Sequence, residues 1–290
     1  MPEDEIIDAP SPKKKKQRSK PDFGSIAGVA LALLAILGGL VLEGGKLRDV
    51  AQFTAALIVL GGTAGAVLIS MPLKVVMGAM RRLAGVFFDQ TTPVTGMIEE
   101  LIGYATQARK SGLVSLEQVT EKIEDPFLRK ALMLAVDGTD LQEMRGMLEL
   151  VIEVEEQHAE AEAKVFESAG GYAPTIGIIG AVLGLIQVMK NLANIEEVGH
   201  GIAVAFVATV YGVGMANVFF LPVANKIKTR STAEIRHKEI IIEAVSGIVE
   251  GLNPKLIRMK LEAYADGPPE KKKVRKQKGA DAEQPAGAEA

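Results

Sequence analysis

Charged and uncharged positions fall in blocks along this chain. No Asp, Glu, Lys or Arg occurs in residues 24–42, 50–73, 168–189 or 201–225, which are runs of 19, 24, 22 and 25 residues. An apolar run of 18 or more residues is long enough to cross the hydrocarbon layer as a helix. The pattern predicts four transmembrane helices. The first two are linked only by Glu43–Asp49, with Gly44 and Gly45 inside the link, so residues 24–73 are expected to form an antiparallel hairpin. The third and fourth are joined by Lys190–His200 and make a second hairpin over residues 168–225.

Between the hairpins, residues 74–167 hold 10 basic and 17 acidic side chains. Apolar residues recur there at helical spacing, as at Met97, Leu101, Tyr104 and Ala108. Segments 93–110, 115–123, 126–136 and 140–167 are therefore predicted as amphipathic helices. Ser115, before Leu116 and Glu117, is a candidate cap. Asp125-Pro126 marks a helix start with Pro at the first helical position. Asp137-Gly138 marks a turn, and no strand pattern stands out. Residues 226–265 again read as one amphipathic helix. The polar ends, 1–23 with its Lys-rich stretch and 266–290 with Pro268-Pro269 and a Lys/Arg cluster, read as a disordered arm and a disordered tail. The expected fold is an all-α integral membrane protein, four spans with a large helical cytoplasmic insert between spans 2 and 3.

Composition changes this picture only once it is mapped. The averages, 48% apolar with a net charge of −3, resemble a soluble protein, but all charged side chains lie outside the four runs. Cysteine is absent, which removes disulfides, thiolate metal sites and a Cys nucleophile. Three His, at 158, 200 and 237, are too scattered for a zinc site. No nucleotide loop and no nucleophile with a base is present, so neither an enzyme nor a cofactor is expected. The short links hold Lys46, Arg48 and Lys190, and every other Lys and Arg lies in the arm, the insert or the C-terminal segment. The positive-inside rule then places both termini and the insert in the cytoplasm. Beside a span, the basic run Lys13–Lys20 sets topology and can meet anionic membrane lipid; it is not read as a nucleic-acid patch.

Span 3 carries Gly170, Gly171, Gly177, Gly180 and Gly184 with Pro174, and span 4 carries Gly201, Gly212 and Gly214 with Pro222. Small residues at such spacings let helix backbones approach closely. The polar groups of span 4 are Thr209, Tyr211 and Asn217. Ion pathways through membranes normally use an ionisable side chain facing the bundle interior. No Asp, Glu, Lys or Arg lies within these spans. Either another chain supplies a carboxylate, or the protein is a scaffold without ion flow.

Several stretches resemble the MotA-type stator proteins of the flagellar motor, in the MotA/TolQ/ExbB proton channel family. They are Leu42-Glu43-Gly44-Gly45, Ala56–Thr63, Ala108–Glu117, the span 3 stretch YAPTIGIIGAVLGLIQVM from Tyr172, and the span 4 stretch from Gly201 through Lys228. The likeness covers roughly residues 24–260. It implies a ring of five copies in the bacterial inner membrane around a single-span MotB-like partner. That partner carries the membrane Asp that these spans lack. It implies a rotor contact with the flagellar switch protein FliG through Arg109, Lys110 and Glu117. Two further acidic positions of some relatives are Gln118 and Thr120 here, which shifts attention to Glu121 or Glu124. The resemblance also implies coupling roles for Pro174 and Pro222. Sodium-driven relatives resemble one another in carrying Thr where this chain has Ala181 and Ala208, whereas Thr209 is common to both types. The ion is expected to be a proton. The alternatives are a sodium-driven stator and an ExbB/TolQ-type energiser of outer-membrane processes, whose members look three-spanned.

Overall fold

The computed structural model describes residues 20–89 and 94–265. Residues 1–19 of the expected N-terminal arm, with nearly all of its Lys-rich stretch, and the whole expected tail 266–290 lie outside the described residues. Most of the rest is helical. In chain order come α1 (Phe23–Leu42), a short α2 (Leu47–Val50), α3 (Phe53–Ser70), α4 (Leu73–Val86), α5 (Val94–Ser111), a one-turn α6 (Glu117–Thr120), α7 (Pro126–Val136), α8 (Leu141–Lys190), α9 (Ile195–Val249) and α10 (Pro254–Ala265). Four of them, α1, α3, α8 and α9, are long and apolar enough to cross a membrane.

Two helices run through everything. α8 has 50 residues and α9 has 55. Each crosses the membrane segment and continues into the extramembrane half without a break. The divisions expected at 167/168 and 225/226 mark changes of composition along continuous helices. The backbone does not register them, because good helix formers continue on both sides. The helix expected over 226–265 is instead broken. Gly251, at φ 69°, reverses the chain, and Pro254 opens α10 after Asn253 accepts the Lys255 amide at 3.0 Å.

Local capping chemistry explains the other boundaries. Asp125 accepts the amides of Phe127 (2.8 Å) and Leu128 (3.3 Å) at the start of α7, with Pro126 in the first turn. Asp140 does the same for Gln142 at 2.9 Å at the start of α8. The expected helix 115–123 is only a 3-10 turn, Leu113–Leu116, followed by α6. Ser115 caps nothing there; its hydroxyl donates back to the Gly112 carbonyl at 2.6 Å.

The core has three storeys. Leu101, Leu132, Met144, Leu148, Ile240, Ile241 and Leu261 anchor an aliphatic core in the extramembrane half. Phe166, Ala169, Val223 and Ile227 form a smaller cluster beneath the spans. Between the spans the buried cluster is made of small and β-branched residues, Ala55, Val59, Val207 and Ala208. α1 stands apart. None of its residues is buried, and its main neighbours are α2 and the Met215–Phe220 stretch of α9. It does not lie along α3 as a packed hairpin. Its outward side chains are Leu, Ile and Val, which suit lipid as well as protein. A two-residue antiparallel pairing, Lys20–Pro21 with Phe88–Asp89, ties the start of α1 to the end of α4.

Candidate functional site

α8 and α9 run antiparallel and touch through backbone. An ideal Cβ on Gly177 would lie 2.8 Å from the Ala208 carbonyl oxygen; one on Gly184 would lie 2.7 Å from that of Gly201. One on Gly212 would lie 2.5 Å from that of Ala173. No side chain fits at these positions, so the small residues seen in the sequence are the seam itself. Ala208 is fully buried, and a Cβ on Gly180 would sit 2.8 Å from its methyl. α3 and the end of α2 close the side of this pair. Ile176 packs onto Gly62, and the Tyr211 hydroxyl donates to the Val50 carbonyl at 2.5 Å.

The polar groups of the spans mostly serve their own helices. Thr209 donates to the Ala205 carbonyl at 3.2 Å, Asn217 to Val213 at 2.9 Å, and Thr175 to Tyr172 at 2.8 Å. Such back-bonds satisfy hydroxyls and amides that hydrocarbon would otherwise strand. The buried hydroxyl of Thr63 has no hydrogen-bond partner among the described residues.

The two prolines occupy neighbouring levels of the seam. Pro174 lies inside α8 and is half-buried. It leaves the Gly170 carbonyl without its helical donor, and Gly170 faces the Leu221 side chain. Pro222 is exposed and follows the π-helical stretch Met215–Phe220. The wider turn gives the pyrrolidine ring room where a regular helix would collide with the carbonyl four residues back. Ala181, half-buried, sits one position beyond the seam residue Gly180.

Arg109, Lys110 and Glu117 lie far from these spans, in the extramembrane half. Arg109, Lys110 and Glu117 are all exposed. Arg109 and Lys110 close the last turn of α5, and Glu117 opens α6. Gly112, at φ 81°, makes the turn between them, in a conformation that only glycine adopts without strain. Gln107 staples the loop by donating to the Ser115 carbonyl at 2.8 Å. Leu116 is fully buried behind it. The loop is thus held rigidly while its charges face solvent. Arg109 and Glu117 form no ion pair with each other. Both remain available to an outside partner.

Comparison with known proteins decides the family. Residues 119–240 match the MotA/TolQ/ExbB proton channel family, and residues 26–110 match the motility protein A N-terminal family. The chain is 39% identical over 247 residues to motility protein A of Bacillus subtilis (strain 168), covering 84% of this chain and 90% of that one. The chain belongs to the MotA/TolQ/ExbB proton channel family. A solved structure of C. jejuni MotAB is similar, with a TM-score of 0.80 at 35% identity over 84% of this chain and 95% of that one. The flagellar MotAB stator complex from Bacillus subtilis gives 0.78 at 36% identity, covering 83% and 95%. With both MotA parts present, this is a MotA-type stator protein.

One cluster of this MotA-type chain went unread in the sequence. Asp22 caps α1 by accepting the Ser25 amide at 3.2 Å, and it also binds Lys226 at 2.6 Å and Arg230 at 3.1 Å on α9. Arg230 donates further to the carbonyls of Gly85 and Phe88. The Lys226 ammonium, with the Ser25 amide, holds the Asp22 carboxyl well below the usual carboxylate range. The cluster fixes one end of an otherwise unpacked span. Its signal in the sequence was slight: Asp22 is the lone acid between the basic run and Glu43.

Proposed function

We propose that this chain conducts protons together with a single-span, MotB-like partner and converts that flow into torque on the flagellar rotor. The observation that carries the reading is chemical. The four spans contain no acidic or basic side chain, while the seam of α8 and α9 is built to MotA-type pattern around Pro174 and Pro222. The membrane carboxylate then comes from the partner's Asp. Pro174 and Pro222 act where helices can change bend. Arg109, Lys110 and Glu117 present charge to the switch protein FliG, with their loop held by Gly112 and Gln107.

A ring of five copies accounts for α1. A span with no buried residue and open glycines has a face for a neighbouring copy. The site is the bacterial inner membrane with both termini in the cytoplasm, supported by the Lys and Arg bias. The absence of hydroxyls at Ala181 and Ala208 favours a proton over sodium, which needs several oxygen ligands to replace its water. Ala208 also has a packing reason to be small, so Ala181 carries more of this argument. An ExbB/TolQ-type energiser is the weaker reading, given the match of residues 26–110 to the motility protein A N-terminal family.

The test is proton uptake into vesicles holding this chain with and without a MotB-like partner freed of its plug. Uptake is expected only with the partner, and is expected to vanish when the partner's membrane Asp becomes Asn. A sodium requirement would overturn the choice of ion. No flux through verified complexes would overturn the channel.

A further inference from the structure

An open groove of about 710 Å³ runs between α8 and α9 in the extramembrane half, and its lining includes no residue of the exposed loop of Arg109 and Glu117. Glu149, Glu153 and Glu156 line it from α8, and Glu239 and Glu243 from α9. Its floor is apolar, formed by the buried Ile152 and Ile242, and Leu150 stands beside them 59% exposed. One cation, Arg145, belongs to the lining and donates to Glu243 at 3.3 Å. Lys260 of α10 binds the other oxygen of Glu243 at 3.0 Å, and Glu153 accepts only the Gln157 amide at 3.2 Å. Among the described residues Glu149, Glu156 and Glu239 have no cationic partner. Glu149 with Glu153, and Glu239 with Glu243, are four residues apart on their helices, a spacing at which like charges repel.

We propose that this groove receives the basic C-terminal segment of the same chain, Lys271–Lys278. That segment carries Lys271, Lys272, Lys273, Arg275, Lys276 and Lys278 around one apolar residue, Val274. Six cations face five carboxylates, and Val274 has a counterpart in Leu150. The point of departure fits as well. α10 runs back along α9, with Leu261 fully buried and Lys260 already on Glu243. The described chain ends at Ala265, and the six further residues to Lys271 span at most about 20 Å. The groove opens where the helix that leads into the segment already touches it.

The absence of cysteine from this chain makes the test direct. Full-length protein carrying Leu150→Cys and Val274→Cys is oxidised mildly in membranes, assembled with its partner, and compared with a Val114→Cys and Val274→Cys pair. Val114 is also well exposed but lies in the Leu113–Leu116 turn, outside the groove lining. The groove pair is expected to crosslink within one chain at least tenfold faster. High salt, or Lys271, Lys272 and Lys273 all changed to Glu, is expected to bring it down to the reference rate. The tail changes lie outside the described helices, so loss of crosslinking cannot be ascribed to misfolding of those helices. Equal rates for the two pairs would overturn the proposal, as would insensitivity to salt. Crosslinks only between differently tagged copies would assign the segment to a neighbour. Crosslinking that disappears when anionic lipid is present would assign it to the membrane surface. Each of those results overturns docking in its own groove.

Discussion

α1 and α8 both cross the membrane and both carry several glycines, yet the two helices use them in opposite ways. On α8, Gly177, Gly180 and Gly184 are pressed against the backbone or methyls of α9. On α1, a Cβ added at Gly28, Gly38 or Gly39 would meet nothing within 4 Å. Mean hydropathy ranks them the other way round, with α1 the more apolar of the two. Hydropathy reports contact with lipid. Helix association in a membrane depends on close packing, because lipid tails are as apolar as Leu. The most hydrophobic span is therefore the least attached within its own chain, and its glycines stay open.

The sharpest way to break this contrast is to fill the seam. Gly212→Leu places side-chain atoms against the Ala173 carbonyl, with backbone on both sides and no room to yield. A loss of about 3 kcal/mol or more is expected. It would be read as disappearance of folded protein in detergent unfolding. Gly38→Leu on α1 is expected to leave the folded chain intact and to lower the mass of the assembled ring. Equal damage from both substitutions would sink the comparison.

A second test trims large side chains. Leu148 is fully buried, whereas Leu34 of α1 is 72% exposed. Leu148→Ala is expected to cost about 2–5 kcal/mol, and Leu34→Ala almost nothing, since lipid refills the space. Unfolding midpoints in one detergent compare the two.

Asp22 sharpens the comparison further, since it is the fastening of α1. Asp22→Asn is expected to cost about 1–2 kcal/mol, because hydrogen bonds to a charged group exceed neutral ones and this carboxylate is only partly exposed. A spin label at Ser25 should report a more mobile span end. The carboxyl is held below its ordinary value of 3.8, so the folded state gains from its ionised form. That gain is complete above the ordinary value and is lost as acid takes the pH below it. The wild-type and Asp22→Asn proteins should differ by the same amount at pH 6 and pH 8. A difference that varies over that range would mean another group holds α1.

The smallest effect on stability is expected at the exposed loop. Reversing Arg109 and Glu117 together should move the stability by no more than about 0.5 kcal/mol. Swimming, measured in cells with normal expression, should be lost. Normal swimming in that double variant would remove the rotor role from these two residues.

The fold was legible in the sequence where one residue type has one physical meaning. Charge-free runs marked the four spans, and Asp125-Pro126 marked a helix start, because neither has a competing explanation. Gly177 and Gly212 were legible as close-packing residues, but not as partners. Spacing along one helix says nothing about which helix it meets. Three features were illegible for a related reason. The clamp of Asp22 with Arg230 joins residues about two hundred positions apart. The groove needs α8 and α9 to be aligned before its glutamates gather. The π-helical stretch Met215–Phe220 is made of ordinary helix-compatible residues, and only Pro222 hints at a disturbance there. Ser115 misled because a hydroxyl near a helix start can bond to its own turn as readily as cap the next one.

The continuity of α8 and α9 has a mechanical consequence. A helix that leaves the bilayer without a joint behaves as a stiff rod, and here two such rods are bonded side by side. Between Pro174 and Leu141 the rod extends about 50 Å at 1.5 Å per residue, so a tilt of about 5° at the proline sweeps its tip through about 4 Å. Displacement grows with distance from the pivot while force diminishes in proportion. If α8 tilted at Pro174, the extramembrane half would be the long arm of a lever with its fulcrum in the bilayer, and a small rearrangement there would suffice for a stroke of side-chain length at the surface.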